Sequence, residues 1–151
     1  MKPLRTLIAP LLAVTFVVGC GDSIGADSTP EEVAEALAGT WNATSFVFTN
    51  DANSSETFDL LADGGSFSVT FTTGGQFSGS STLGGGTETL SGTYVVQGTN
   101  LIITDTGETE SETIAFTLSG NTLTLTQDDE YDFNDDDVDV SATLVIVLQR
   151  A

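Results

Sequence analysis

The sequence predicts an all-β domain, an antiparallel up-and-down meander of eight or nine strands that closes as a small barrel behind a short N-terminal helix. Beyond residue 39, apolar side chains alternate with hydroxyl-bearing and charged ones, which is typical of strands with one buried face. Glycine-rich turns separate these segments about every ten residues, which leaves no room for crossover helices. The 151 residues are enough for one ordinary domain. A sheet of eight or nine strands should curl, and closing into a barrel would remove its exposed edges.

The first nineteen residues have the pattern of an export signal. Lys2 and Arg5 precede the apolar segment Leu7–Val18, which suits a signal-peptide core and is too short to cross a bilayer as a helix. The run Val17-Val18-Gly19-Cys20 resembles the lipobox of bacterial lipoproteins, in which the cysteine is lipidated and becomes the new N-terminus. The resemblance implies that residues 1–19 are a lipoprotein signal peptide. An ordinary secretory signal followed by a chance cysteine is the alternative.

The lipobox resemblance also implies a location. A lipid on Cys20 would hold the protein to a membrane of the bacterial cell envelope, because each buried acyl methylene contributes about 0.8 kcal/mol. Gly21 stands where an aspartate favours retention in the inner membrane, so we expect the outer membrane, facing the periplasm or the cell surface. Residues 20–29 are small and polar and are expected to form a flexible tether.

A short helix is predicted to begin after Thr29. Thr29 suits the N-cap, a proline follows it, and Glu32 completes a capping box. Val33 and Leu37 share one helical face, and Gly39 ends the helix after about two turns. Such a helix is marginal in water, so it should form only when it packs on the barrel.

The strands are predicted from alternation, with hydroxyl groups on the solvent side. The inward positions of the clearest segments are Phe67, Val69 and Phe71; Ile114, Phe116 and Leu118; Leu123 and Leu125; and Val138, Val140, Ala142, Leu144, Ile146 and Leu148. A β-sandwich of the immunoglobulin or adhesin type has a similar strand count and is the rival architecture. A membrane-spanning barrel is disfavoured because the predicted outer faces carry Ser and Thr rather than an apolar band.

Residues 30–151 resemble a lipocalin-like domain. The motifs that carry the resemblance are Gly39-Thr40-Trp41, Ser91-Gly92-Thr93-Tyr94, Gly98–Ile103, Ser119–Leu125 and Leu148-Gln149-Arg150. The resemblance implies a barrel in which Arg150, after the last strand, lies across the face of Trp41. We expect the guanidinium within about 6 Å of the ring centroid, where cation–π attraction is effective. The alternative is that Arg150, one residue from the C-terminus, frays in solvent. The resemblance also implies a small apolar ligand in the barrel mouth. The domain is shorter than a transport lipocalin, which argues against a roomy cavity.

Composition excludes several kinds of function. The chain has 22 Asp and Glu against 3 Lys and Arg, and Arg150 is the only cation beyond residue 5, so nucleic-acid binding is not expected. There is no histidine and one cysteine, which excludes Ser-His-Asp and Cys-His catalysis, His-ligated zinc and internal disulfides. Two carboxylates could hydrolyse glycosides, but no pair stands out, so we do not expect an enzyme.

Two binding-related hypotheses therefore remain. One is a lipid-anchored envelope protein that binds an unidentified small apolar ligand; the other is a filled barrel or sandwich that serves in interaction or structure without a ligand. A cavity of about 300 Å³ or more would favour the first. The phenylalanines that could line such a cavity, or simply fill the core, are Phe46, Phe48, Phe58, Phe67, Phe71, Phe77, Phe116 and Phe133.

The acidic hairpin Asp128–Asp139 offers a partial match to a calcium loop. Asp132, Asn134 and Asp136 have the spacing of its first three oxygen ligands. However, Asp137 replaces the glycine of the sharp turn, and Thr143 replaces the glutamate at the twelfth position. Any calcium binding should therefore be weak, and no other cofactor is expected.

The lipid anchor predicts that Cys20→Ser moves the protein from the detergent phase to the aqueous phase of a bacterial extract, because no thiol remains to be acylated. Gly21→Ser, which keeps the thiol, is the matched control and should stay in the detergent phase. A Cys20→Ser protein that partitions like the wild type would contradict the anchor.

The calcium hypothesis predicts that about 5 mM Ca²⁺ raises the melting temperature by a few degrees, because a weak site saturates only at millimolar concentration. Magnesium at the same concentration is the control, and Asp132→Asn should abolish the rise. A melting temperature that calcium leaves unchanged removes the hypothesis.

Overall fold

The computed structural model describes residues 28–83, 85–134 and 137–151. The predicted signal peptide, Cys20 and the predicted tether up to residue 27 lie outside this range. The elements are one helix and nine strands: α1 (Pro30–Leu37), β1 (Gly39–Asn50), β2 (Thr57–Asp59), β3 (Ser66–Phe71), β4 (Gln76–Leu83), β5 (Gly86–Gln97), β6 (Asn100–Asp105), β7 (Glu112–Ser119), β8 (Thr122–Tyr131) and β9 (Val140–Arg150). Within the described residues, no helix is both long and apolar enough to cross a membrane.

Helix α1 begins as the sequence predicts. The Thr29 hydroxyl accepts a hydrogen bond from the Glu32 backbone N–H at 3.3 Å, and the Glu32 carboxylate accepts one from the Thr29 N–H at 2.9 Å. The Thr29 N–H and the Thr29 hydroxyl both donate to the Glu32 carboxylate and hold the pKa of Glu32 below its ordinary value, since they stabilise the ionised form. Val33 and Leu37 are buried, and the helix packs against β5. The helix is thus held by the barrel, which compensates for its shortness.

All nine strands belong to one antiparallel sheet, in which β1 pairs with β9 and so closes a barrel. Eight strands make the closed circuit, and β2 is an extra strand that pairs with β1 from Val47 to Thr49. Neighbouring strands of the circuit follow one another along the chain, apart from the closing pair β1–β9 and the insertion of β2 between β1 and β3. The prediction of a closed up-and-down meander is confirmed, and the rival sandwich is wrong because one sheet closes on itself.

A bulge in β1 changes which side chains face inward. The β1–β9 register shifts between Ala43 and Ser45, and the Thr44 hydroxyl donates to the Val147 carbonyl at 3.2 Å. One extra residue in a strand reverses the alternation beyond it. Trp41 and Phe46, five positions apart, therefore both point into the barrel and are both buried.

Strand β9 carries most of its predicted inward face, with one correction. Ala142, Leu144, Ile146 and Leu148 are buried, as expected. Val138, expected on the same face, is 58% exposed. The reason is that the β8–β9 ladder starts only at Tyr131 and Val140, so Val138 lies in the connecting loop without a sheet to direct its side chain inward.

The two ends of the barrel differ. The closed end contains α1, the start of β1 and the end of β9, and its largest fully buried side chains are Trp41, Leu37, Leu101, Leu123, Leu148 and Val33. At the other end, which we call the open end, neighbouring ladders stop early. The β7–β8 ladder ends at Ala115 and Thr126, and the β5–β6 ladder ends at Gly92 and Asp105. The barrel is therefore solid at the closed end and splayed at the open end.

Candidate functional site

Arg150 fastens the closed end. The alternation of β9 carries its side chain inward below Leu148, where Nη1 donates to the Ala38 carbonyl at 2.6 Å and Nη2 donates to the Ala36 carbonyl at 2.5 Å. Its Cζ lies 4.2 Å from the centroid of the Trp41 ring, inside the range of about 6 Å in which cation–π attraction is effective. The guanidinium thus satisfies helix carbonyls and stacks on an indole at the same time.

Trp41 completes the closure from the first strand. It is 0% exposed, and its Nε1 donates to the Leu37 carbonyl at 2.8 Å. The last carbonyls of a helix lack partners within the helix and carry partial negative charge. Trp41 and Arg150 supply the missing hydrogen-bond donors at the end of α1, and Arg150 also supplies a positive charge. Gly39 fits the same arrangement, because its φ is +128° and a Cβ there would lie 2.8 Å from Arg150 Nη1. This geometry explains the Gly-x-Trp motif.

Tyr94 holds the turn between β3 and β4. Its backbone N–H donates to the Gly75 carbonyl at 2.8 Å, and its hydroxyl donates to the Thr72 carbonyl at 2.7 Å. Its ring packs edge-on against Phe71 at a centroid distance of 5.2 Å. Burial raises the pKa of the Tyr94 hydroxyl, since the phenolate would lose water. Tyr94 therefore stiffens the strands that carry part of the cavity wall.

Above this solid base, the barrel interior contains a cavity of about 230 Å³ at the open end. Its wall is mainly apolar and comes from β1, β3–β9. The lining side chains are Phe46, Phe67, Val69, Phe71, Phe77, Leu90, Ile103, Asp105, Glu112, Ile114, Leu125, Gln127, Leu144 and Ile146. Such a shape, an apolar interior with a few polar groups, is typical of small-molecule sites.

The polar groups of the cavity are Asp105, Glu112 and Gln127. Glu112 pairs with Ile103 across β6 and β7, and Asp105 lies two residues beyond Ile103 on the same face. Asp105 and Glu112 also line an adjacent acidic groove of about 240 Å³. Both residues are exposed, so their carboxylates stand at the rim of the apolar cavity.

Four aromatic side chains, which we call the aromatic rim, lie above the cavity on the side of β1: Phe48, Phe58, Tyr131 and Phe133. The Tyr131 ring stacks on Phe48 at 4.7 Å and on Phe58 at 4.8 Å between centroids, and Phe133 meets it edge-on at 5.0 Å. Phe46 lies 5.7 Å from Phe48 and joins the rim to the cavity wall. These contacts tie β2 and the β8–β9 loop to the barrel.

The structure divides the candidate phenylalanines into three groups. Phe46, Phe67, Phe71 and Phe77 line the cavity; Phe48, Phe58 and Phe133 belong to the aromatic rim; and Phe116 is buried in the core without lining the cavity. Sequence reasoning missed Tyr131 and the three polar lining residues. Extending the alternation past the apolar positions would have found them, since Asp105, Glu112, Gln127 and Tyr131 continue the inward faces of their strands.

In the acidic hairpin, the Asp132 carboxylate organises the loop backbone. Its Oδ1 accepts from the Asn134 N–H at 3.0 Å, and its Oδ2 accepts from the Asp137 N–H at 2.8 Å. Asp137, where a calcium loop has glycine, adopts a φ of +61°. Asp136 lies outside the described residues, and the described part of the chain contains no group of three or more candidate metal-binding side chains. Calcium binding stays a prediction.

A closed antiparallel barrel with a Gly-x-Trp first strand, a helix across one end and an apolar cavity at the other defines a lipocalin-type barrel. Residues 37–125, more than half of the chain, match the family model described as a lipocalin-like domain, and the chain belongs to that family. No curated protein and no solved structure matches the chain significantly.

Arg150→Met should lower the free energy of unfolding by about 2–4 kcal/mol, because two charge-assisted hydrogen bonds and the contact with the indole are lost together. Chemical denaturation measures the loss, and the fluorescence of Trp41, the only tryptophan, reports the closed end directly. Arg150→Lys keeps the charge but lacks a guanidinium that can donate to two carbonyls, so its free energy of unfolding should lie between those of the wild type and Arg150→Met. A Met variant as stable as the wild type would show that the closure contributes nothing.

Proposed function

We propose that this protein is a lipid-anchored, lipocalin-like binding protein of the bacterial cell envelope that holds a small apolar ligand in the open-end cavity. The observation that carries the proposal is an apolar cavity of about 230 Å³ above a solid base. Burial of apolar ligand surface supplies about 25 cal/mol per Å², which is the main driving force available in such a site. The proposed role is binding, not catalysis.

The volume of the cavity limits the size of the ligand, and it is also the observation that supports the alternative, a barrel without a ligand. Drug-sized ligands occupy pockets of about 300–1,000 Å³, and the volume of about 230 Å³ lies below that range. This favours the second candidate, a filled barrel that serves in interaction or structure without a ligand. However, an engineered apolar cavity of about 150 Å³ binds benzene. A ligand with one ring and a short chain is therefore the size that fits.

The anchor follows from the lipobox resemblance and agrees with the geometry of the described residues. The N-terminus of α1 lies beside Thr73 in the β3–β4 turn, so the chain reaches the barrel at its closed end. A lipid on Cys20 would then attach the barrel through its closed end and leave the open end unattached. The mouth of the cavity would face the periplasm or the cell exterior, where a soluble ligand can reach it.

Two variants of β5 test the cavity. Leu90 lines it, whereas Val95 points outward and is 61% exposed. Full-length protein in a non-ionic detergent should bind a neutral one-ring probe, 2-phenylethanol, in ligand-observed NMR. Leu90→Trp should weaken this binding about tenfold or more by filling the space, and Val95→Trp, the matched control, should leave it unchanged.

Native mass spectrometry of the protein released from cell membranes completes the test. A bound small molecule, lost in Leu90→Trp and retained in Val95→Trp, is the expected result. If the wild type carries no small molecule and binds neither 2-phenylethanol nor a charged probe of the same size, the filled barrel without a ligand is the correct description.

A further inference from the structure

Among the residues that the structure describes, the carboxylates of Asp105 and Glu112 at the cavity mouth have no cationic partner at their end of the barrel. Arg150 is the only Lys or Arg among the described residues, and its guanidinium is engaged with the Ala36 and Ala38 carbonyls at the closed end. Asp105 and Glu112 therefore face an apolar space and solvent, with further carboxylates of Glu108 and Glu110 beside them. The field at the mouth is negative, and nothing in the described chain at that end offsets it.

From this arrangement, and resting on the proposed function, we infer that the cavity takes a small organic cation: an amine with one aromatic ring. The ring would lie against the cavity wall of Phe46, Phe67 and Phe77, and the ammonium would reach Asp105 and Glu112. An ammonium between two carboxylates forms charge-assisted hydrogen bonds, which are stronger than those between neutral groups. An anionic amphiphile such as a fatty acid would meet repulsion at the same place.

Exposure of the two carboxylates favours a cation here. Fully burying an ion pair carries a desolvation penalty that can exceed the attraction between the charges. Because Asp105 and Glu112 are exposed, the ammonium keeps part of its water while the ring leaves water completely. Glu112 pairs with Ile103 at the last position of the β6–β7 ladder, and Asp105 lies two residues further along β6 on the same face. Both side chains line the cavity, so an ammonium at its mouth would lie near both carboxylates.

Cavity volume and charge together define the class. The wall accepts about one ring and a short chain within about 230 Å³, so the positive group must sit within a few bonds of the ring to reach the rim. Gln127, the third polar lining residue, provides a carbonyl and an amide that can accept from or donate to a second polar group of the ligand. An arylalkyl primary amine meets all of these requirements.

Three probes of matched size test the inference at pH 7 with full-length protein in a non-ionic detergent: 2-phenylethylamine, 2-phenylethanol and 3-phenylpropanoate. Isothermal titration and ligand-observed NMR should give about tenfold tighter binding for the amine than for the alcohol, and no binding of the acid. Raising the salt concentration to about 0.5 M should weaken the binding of the amine and leave that of the alcohol unchanged.

A pair of charge-matched double variants locates the effect. Asp105→Asn with Glu112→Gln should reduce the affinity for the amine to that for the alcohol. Glu31→Gln with Glu35→Gln, which removes the same charge from α1 at the closed end, should leave the amine affinity unchanged. Trp41 fluorescence verifies that both double variants are folded.

The outcomes separate the two proposals. Equal binding of amine and alcohol, or binding of the acid, overturns the cation preference and leaves the ligand-binding function standing. Equal loss of amine affinity in the two double variants also overturns the assignment of Asp105 and Glu112 as the ammonium site, because the overall charge of the protein then accounts for the effect. Absence of binding for all three probes overturns the binding function itself.

Discussion

The contact of Arg150 with Trp41 and the end of α1 is the constraint on which the rest of the structure depends. It joins the helix, the first strand and the last strand in one place, where two guanidinium nitrogens and one indole nitrogen donate to three helix carbonyls. From there β1 and β9 pair along their length, from Trp41 and Arg150 to Asn50 and Ala142. A meander becomes a barrel because its two ends are fixed to each other here, and the same contact makes a helix of eight residues stable.

Stability and the candidate site lie at opposite ends of the barrel. The fully buried side chains concentrate at the closed end, where the hydrogen-bonded ladders are continuous around the circuit. Toward the open end the β7–β8 ladder stops at Ala115 and Thr126, and the strands beyond diverge. A cavity with apolar walls can persist there because the base below it is solid. Looser packing at the mouth lowers the free energy of unfolding only a little, because the contacts that close the barrel lie at the other end.

Much of the architecture was predictable from the alternation of side chains, since a period of two together with frequent turns leaves few options. The bulge at Thr44 was not, because it arises from the register between two strands far apart in sequence. That bulge decides that Phe46 lines the cavity. Local patterning also misplaced Val138, which lies before the first ladder pair of β9. The polar residues of the cavity could not be predicted in this way, because Asp105 and Glu112 resemble ordinary surface acids until strand pairing shows that they lie on the inward face.

The distribution of charge gives the two ends different electrostatic characters. A chain with 22 acidic residues and 3 basic ones places the only cation of its described part where neutral carbonyls and an indole, not carboxylates, surround it. Arg150 therefore stabilises the closed end without neutralising any acid at the mouth. At physiological salt, charges are screened beyond about 8 Å, so the rim is governed by its nearest carboxylates. The single cation of the described residues thus serves the fold, and under the proposed function Asp105 and Glu112 at the cavity mouth would determine which charge a ligand can carry there.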